Sequence, residues 1–241
     1  MRIARLRSQR GALTPIKDQG QCGSCWAFST TEGVESAVFM AEGKLPAPLS
    51  TEELVNCDRG QDGGCDGGDL PTAARYYKKH GVASAAEYPD HSSKSGRTGK
   101  CTWDKKDPVV SVSGFSWALP QCNKKDCSGQ DEEKLAAALA KYGPLSICVN
   151  SGDGQPGDWD KYKSGVWKKE CKAKSSLTDH CVQLVGYDKG AAEPYWKIRN
   201  SWGTDWGEGG FIRLAFGNEN MCCVGCEAMS ITATSAAAVE A

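Results

Sequence analysis

Residues 19–29, QGQCGSCWAFS, decide how the rest of the chain is read. A polar, glycine-rich entry ends at Ser24. Trp26, Ala27, Phe28, Val34, Ala37, Val38 and Ala41 then recur at spacings that bury one face of a helix, which predicts a long helix over 26–41 with Cys25 in its first turn. Unpaired backbone N–H groups and the helix dipole favour an anion at that end, which lowers a thiol's pKa toward the reactive thiolate. Cys25 is therefore the first candidate nucleophile.

A thiolate needs a proton acceptor, and the acceptor needs something to orient it. Of three histidines, His180 sits where the polar start of SLTDHCVQLVGYD gives way to the apolar run 181–185 and the closing Gly186, as in a buried strand. His80, in KKHG, reads as part of a basic helix end, and His91, in DHSSKSG, as part of a polar loop. Asn200 follows a strand-like segment, 195–198, and precedes a glycine-rich turn flanked by Trp202 and Trp206. A neutral amide fixes an imidazole's orientation without adding charge, and the indoles keep water from the bond.

Taken together, these residues make the chain resemble the papain family of cysteine peptidases, the cathepsins among them. The likeness rests on the Cys-Gly-Ser-Cys-Trp run at 22–26, Gly64-Cys65-Asp66-Gly67-Gly68, Asp179-His180, Gly186-Tyr187 and Asn200-Ser201-Trp202-Gly203, and it covers nearly the whole chain. It implies that Cys25 attacks the scissile carbonyl, that His180 exchanges protons and that Asn200 orients the ring. Gln19, an ordinary turn residue when read alone, would complete an oxyanion hole with the backbone N–H of Cys25. The implied chemistry is covalent: a thioester forms, the amine leaves with a proton from His180, and water frees the enzyme. No cofactor or metal is required.

Composition agrees. The formal charge is −1, and the one basic cluster, Arg2, Arg5, Arg7 and Arg10, lies at an end, which gives nucleic-acid binding little support. No apolar run spans a bilayer, and the amino terminus lacks a signal-peptide core, so the sequence reads as a mature form with targeting and pro-segments removed or not included. Partners follow from the resemblance: protein and peptide substrates, the chain's own propeptide and cystatin-type inhibitors, acting on a monomer. Lysosome, vacuole or secretion all fit.

Thirteen cysteines suit an oxidising compartment with one free catalytic thiol. The resemblance implies Cys22 with Cys65, Cys57 with Cys101, and Cys171 with Cys222. Cys122 with Cys127, Cys148 with Cys181, and Cys223 with Cys226 are further candidate pairs, although Cys148 and Cys181 also fit as two small buried thiols. Two Cys-x-x-Cys spacings, 22–25 and 223–226, raise rival readings as a zinc site or a redox pair, but they stand at opposite ends of a large domain. A disulfide-rich binding protein that keeps the fold without catalysis is expected to have lost Cys25, His180 or Asn200. All three are present.

The pattern predicts helices first and strands later, an α+β chain. Helices are expected over 26–41, 50–56 with a Ser50–Glu53 capping box, 70–80 and 131–141. Strands are expected over 108–116, 145–150, 182–186, 195–199 and 210–214, and surface loops over 91–100, 121–130 and 151–158. By resemblance these form one papain-like peptidase domain, 1–241, with a helical lobe over about 11–115 and a β-barrel lobe over about 116–233 plus 1–10. The active-site cleft lies between the lobes, and 234–241 is expected to fray.

In the family, an apolar pocket for the side chain two residues before the cut bond sets preference. The resemblance assigns Asp69, Leu70, Cys148, Thr178, Cys181 and Glu227 to its walls, Gly67 and Gly68 to backbone pairing with substrate, and Asp179 and Trp202 to further substrate contacts. Glu227 falls at the pocket floor. There a carboxylate either accepts arginine beside leucine or phenylalanine, as in cathepsin B-like and trypanosomal relatives, or turns to solvent and leaves a plain apolar pocket. Arg5-Leu6 stands where relatives carry Asp-Trp. With no pair of adjacent histidines in a disulfide-bound loop and no added exclusion domain, endopeptidase action is expected.

Overall fold

The computed structural model describes residues 11–123, 125–152, 158–169 and 171–236. The Arg5-Leu6 position, part of the loop expected at 151–158 and the end of the tail lie outside the described residues.

Five α-helices are described: α1 (Cys25–Glu42), α2 (Glu52–Cys57), α3 (Leu70–His80), the short α4 (Ser92–Ser95) and α5 (Glu132–Tyr142). Seven strands, β1 (Val110–Trp117), β2 (Leu145–Val149), β3 (Val166–Trp167), β4 (His180–Asp188), β5 (Tyr195–Arg199), β6 (Phe211–Ala215) and β7 (Glu227–Ser235), form one sheet in the order β1-β7-β2-β4-β5-β6-β3. All pairings are antiparallel except β3 with β6. The fold is α+β.

α1 is buried through most of its first four turns, polar Thr30, Thr31, Glu32 and Glu35 included. It packs against β7, β4 and β2 on one side and α3 on the other. A helix enclosed this way needs partners for its polar groups. Ser29 Oγ donates to Val182 O at 2.7 Å, Ser146 Oγ to Ser29 O at 2.8 Å, and Gln183 Nε2 to Glu32 O at 2.9 Å. These bonds fix the helix along its axis relative to β2 and β4. Gly33 permits the approach, since a Cβ there would fall 2.5 Å from Ser146 Oγ.

Two apolar cores flank this seam. Trp26, Val34, Val38, Leu54, Leu70, Ala73, Tyr77 and Val110 belong to one, and Leu135, Leu139, Ile147, Trp159, Trp196, Ile198, Ile212 and Leu214 to the other.

Several expectations need correction. The capping box is half formed: Ser50 Oγ accepts the Glu53 N–H at 3.1 Å, but the Glu53 carboxylate turns to the Ala83 N–H at 2.7 Å because Ser50 N already donates to Ala83 O. The 91–100 segment is not wholly a surface loop, since Ser92 is buried with its N–H and hydroxyl on Glu52. Thr234 and Ser235 do not fray: they pair with Ser111 and Val110, and Glu42 accepts both the N–H and the hydroxyl of Ser235.

Candidate active site

Cys25 opens α1. Ser24, at the cap position, makes no side-chain hydrogen bond to the helix end; its carbonyl takes the N–H groups of Ala27 and Phe28 at 2.8 and 3.0 Å, which leaves those of Cys25 and Trp26 to face an anion. Disulfide Cys22–Cys65 and the Gly23 N–H, donating to Cys65 O at 3.0 Å, hold the approach to the helix. The other disulfides are Cys57–Cys101, Cys122–Cys127, Cys148–Cys181, Cys171–Cys222 and Cys223–Cys226, and Cys25 is the one free thiol among the cysteines.

His180 begins β4, opposite Val149 of β2, and is 5% exposed. Its Nε2 lies 2.7 Å from Asn200 Oδ1, the same oxygen that accepts the Ser201 N–H at 2.8 Å. The backbone donor fixes which amide atom faces the ring, so Nε2 carries the proton and Nδ1 is the nitrogen turned to Cys25. Asn200 is fully buried at the end of β5, with its N–H on Gly210 O at 2.9 Å. Trp202 stacks on the imidazole at 4.7 Å between ring centroids, and Trp206 meets Trp202 edge-on at 5.1 Å. The indoles wall off the His180–Asn200 bond from water.

Burial pushes the Cys25 thiol up, but the hydrogen bond and charge of His180, with the backbone N–H groups of Cys181 and Trp26, outweigh it and leave the thiol below its ordinary 9.0. For His180, burial acts downward, while the hydrogen bond and charge of Cys25, the Asn200 bond and the charge of Asp179 raise it above 6.5. Opposite shifts on touching groups are the mark of a thiolate–imidazolium pair. Asp179 is itself held by the N–H and hydroxyl of Ser151 at 2.7 and 2.9 Å.

Gln19 approaches from the other side. Its Oε1 accepts the Ser201 hydroxyl at 2.7 Å, and its Nε2 donates to Cys22 O at 3.0 Å, which leaves a second Nε2 hydrogen. The backbone of Gln19 also donates to Ser201 O at 2.9 Å. These three bonds fix the Gln19 amide where it shares the cleft lining with Cys25.

Cys25, His180 and Gln19 line a cleft of about 580 Å³ together with Gly67, Gly68, Asp69, Cys148, Thr178, Asp179, Cys181, Trp202 and Glu227. Leu70 is the exception among the residues assigned to its walls. It opens α3 facing inward and lies 1% exposed in the helical-side core. Glu227 pairs in register with Cys148, and Cys148 with Cys181, so the three stand in a row across β7, β2 and β4. Burial, then the charge of Asp69, pushes the Glu227 carboxyl up.

Sequence reasoning missed Asp158 and Asp160 on the cleft lining, and Ser151 as the partner of Asp179. Only three-dimensional proximity reveals these. Ser201 was legible as part of the Asn200–Gly203 run, though its bond to Gln19 was not. His80 instead packs its ring on Tyr76 at 4.7 Å, and His91 is exposed. For metals, the sulfurs of Cys127, Cys223 and Cys226 lie within 4.8 Å of one another, but all three are bonded in disulfides.

A family profile described as papain family cysteine protease matches residues 4–232. Cysteine proteinase 15A of Pisum sativum is 41% identical over 233 residues, covering 90% of this chain and 58% of that protein. Digestive cysteine proteinase 1 of Homarus americanus is 34% identical over 222 residues, covering 91% and 63%. Among solved structures, digestive procathepsin L 3 of Tenebrio molitor larval midgut superposes with a TM-score of 0.79 at 31% identity, over 92% of this chain and 67% of that one. The chain thus spans a little over half the length of the curated relatives it matches.

Proposed function

This chain belongs to the papain family of cysteine proteases, and we propose that it acts as a thiol endopeptidase through Cys25, His180, Asn200 and Gln19. The observation that carries the reading is the single free thiol hydrogen-bonded to an imidazole whose far nitrogen is held 2.7 Å from a buried amide oxygen.

In this reading the Cys25 thiolate attacks the scissile carbonyl, and the oxyanion is met by the Gln19 side chain and the Cys25 N–H. The departing amine takes the proton held on His180, leaving neutral imidazole to draw a proton from water as that water attacks the thioester. Asn200 fixes the ring and carries no charge through the cycle.

Gly67 and Gly68 offer backbone to the substrate. A side chain placed beside them meets Cys148, Cys181, Asp69 and Glu227, an apolar wall with carboxylates at its floor. The paired acids support acceptance of arginine as well as leucine or phenylalanine two residues before the cut. Two lobes, split near residue 115 with the cleft at their seam, fit the two cores. A propeptide, cystatin-type inhibitors, a monomeric state and a lysosomal, vacuolar or secreted location are the partners and settings we infer. Among the described residues no helix is long and apolar enough to cross a membrane.

Reduced protein is expected to cleave peptides after both Leu-Arg and Arg-Arg and to be labelled stoichiometrically at Cys25 by a thiol-directed peptide epoxide. In Glu227→Ala, turnover of the Arg-Arg substrate should fall about tenfold relative to Leu-Arg. An unchanged ratio rejects the role of Glu227, and failure of Cys25 to label rejects the peptidase reading.

A further inference from the structure

The helical side of the protein carries a second pocket, of about 320 Å³, that shares no lining residue with the cleft around Cys25. Three segments build it. The second half of α3 contributes Arg75, Tyr76, Lys79 and His80, which stand three and four residues apart on one helix face. The loop after α2 adds Asp58 and Arg59, and Lys105 enters from the segment before β1. The His80 ring packs on Tyr76 at 4.7 Å between centroids, Lys105 Nζ lies 5.2 Å from the centre of the same Tyr76 ring, and Arg75 Nη2 donates to Gln61 Oε1 at 3.3 Å.

Positive charge here is unrelieved. Among the described residues Arg59, Arg75, Lys79 and Lys105 form no ion pair, in a chain whose 30 acids would suffice to pair its 29 lysines and arginines. Burial, then the charges of Lys105 and Lys79, holds His80 below its ordinary 6.5, as expected where cations crowd one ring. The dipole of α3 accounts for Lys79 and His80 in its last turn, but not for Arg59 and Lys105, which arrive from other segments. Asp58 is the one acid on the lining. Burial, then the neighbouring Asp62 carboxyl, pushes it up to about 7, so in mildly acid solution it adds little negative charge. Asp58 and Tyr76 are 9% and 8% exposed, and neither Asp58 Oδ2 nor the Tyr76 hydroxyl has a hydrogen-bond partner. Buried oxygens of this kind need a hydroxyl or a water to meet them.

We propose that this pocket binds a tetrahedral oxyanion carried on a small hydroxylated molecule, a phosphate or sulfate ester of a polyol the size of a monosaccharide. Arg59 and Arg75 offer planar forks that each meet two oxygens, and Lys79 and Lys105 supply point charges. Cations converging from three segments suit an anion with oxygens on several sides better than a planar carboxylate. Hydroxyls of the carrier meet Asp58 and Tyr76. The volume falls at the lower end of the range for small-molecule sites and well above what a bare anion fills. A bound oxyanion also brings negative charge beside His80, which favours the imidazolium.

Calorimetry of the whole chain in mildly acid buffer of low ionic strength tests this with glucose 6-phosphate, glucose 6-sulfate, inorganic phosphate and glucose. The expected result is one site that takes an ester with a Kd of about 1 mM or tighter, takes inorganic phosphate at least about tenfold more weakly, and does not take glucose. The tighter of the two esters identifies the oxyanion. A double variant, Arg75→Gln with Lys105→Gln, should weaken the ester at least about tenfold. Cleavage of the Leu-Arg substrate should be unchanged in that variant, so failure of this site and failure of the peptidase reading are measured separately. The His80 ring signal, assigned by its loss in His80→Gln, should titrate at higher pH when the ester is bound. No binding of either ester at about 10 mM, binding that survives the double variant, or an unmoved His80 titration overturns the site. Inorganic phosphate binding as tightly as the esters overturns the hydroxylated carrier.

Discussion

Two charge pairs join α1 to neighbouring strands of the sheet, and they are built for opposite ends. Cys25 and Glu32 both project from α1. His180, at the start of β4, faces the first, and Arg199, at the end of β5, faces the second. Glu32 and Arg199 lie 3.1 Å apart with side chains 2% and 0% exposed, and the guanidinium is further held by Pro15 O at 2.6 Å, Thr14 Oγ1 at 3.2 Å and Gln183 Oε1 at 3.4 Å. Neighbouring Glu35 binds Lys17 at 2.7 Å and Thr14 at 2.5 Å. This pair is enclosed on all sides. The Cys25–His180 pair has fixed partners behind it and an open cleft before it. A buried pair becomes reactive when one face is left unfilled, while closing that face makes the pair a clamp.

Substitutions at the open pair should change rate with little change in stability, and those at the closed pair should do the reverse. Gln19→Ala removes a donor aimed at the oxyanion, so kcat should fall about 10²- to 10³-fold with KM and the pH limits unmoved. An equal loss in kcat and in thermal stability would show that Gln19 only braces Ser201. Asn200→Ala is expected to lower kcat between about 10- and 100-fold. Because the Asn200 bond helps raise His180, its loss lets the imidazolium deprotonate earlier. Activity needs Cys25 ionised and His180 protonated, so it rises with pH through the lowered thiol and falls through the raised imidazole. The alkaline limb should therefore move to lower pH in Asn200→Ala, and an unmoved limb would remove the orienting role.

The smallest effect on rate and the largest on folding belongs to Arg199→Met. Burial pushes Glu32 up to about 7 from 4.5, with Arg199 and Lys17 pulling down and Glu35 pushing up. A carboxyl raised in the folded state stabilises most below its unfolded value, and that contribution is lost as pH rises through the folded value. Stability should thus decline between about pH 4.5 and 7, on the order of 3 kcal/mol, and Glu32→Gln should flatten the decline. Arg199→Met should cost about 3–5 kcal/mol at pH 8 and less at pH 5, where Glu32 takes up a proton. Denaturant unfolding at the two pH values checks this, and a pH-independent loss would mean that packing, not charge, is the role of Arg199.

The contrast also marks what was legible in the sequence. Cys25 stood out because local signals agree around it: a glycine-rich entry, an apolar helical stripe and a thiol at their junction. His180 and Asn200 were readable from strand-to-turn boundaries, but their meeting with Cys25 came from family resemblance, since nothing local encodes a contact across 155 residues of chain. β7 was missed because Glu227–Ser235, EAMSITATS, is rich in small residues and begins with a charge. Its strand state is imposed by pairing with β1 and β2. Leu70 was assigned to the cleft by position alone, and helical phase turns it inward. The clamp behind the site was invisible for a related reason: Glu32 in a helix and Arg199 in a strand look like solvated charges until the elements pack.

The account depends most on the thiolate at Cys25, and the pH dependence of its alkylation by iodoacetamide measures that directly. With Cys25 free and the six disulfides intact, the rate should titrate with an apparent pKa below 9.0, and in His180→Ala the low-pH reactivity should vanish, leaving an ordinary thiol curve. A curve near 9.0 in both proteins would contradict it.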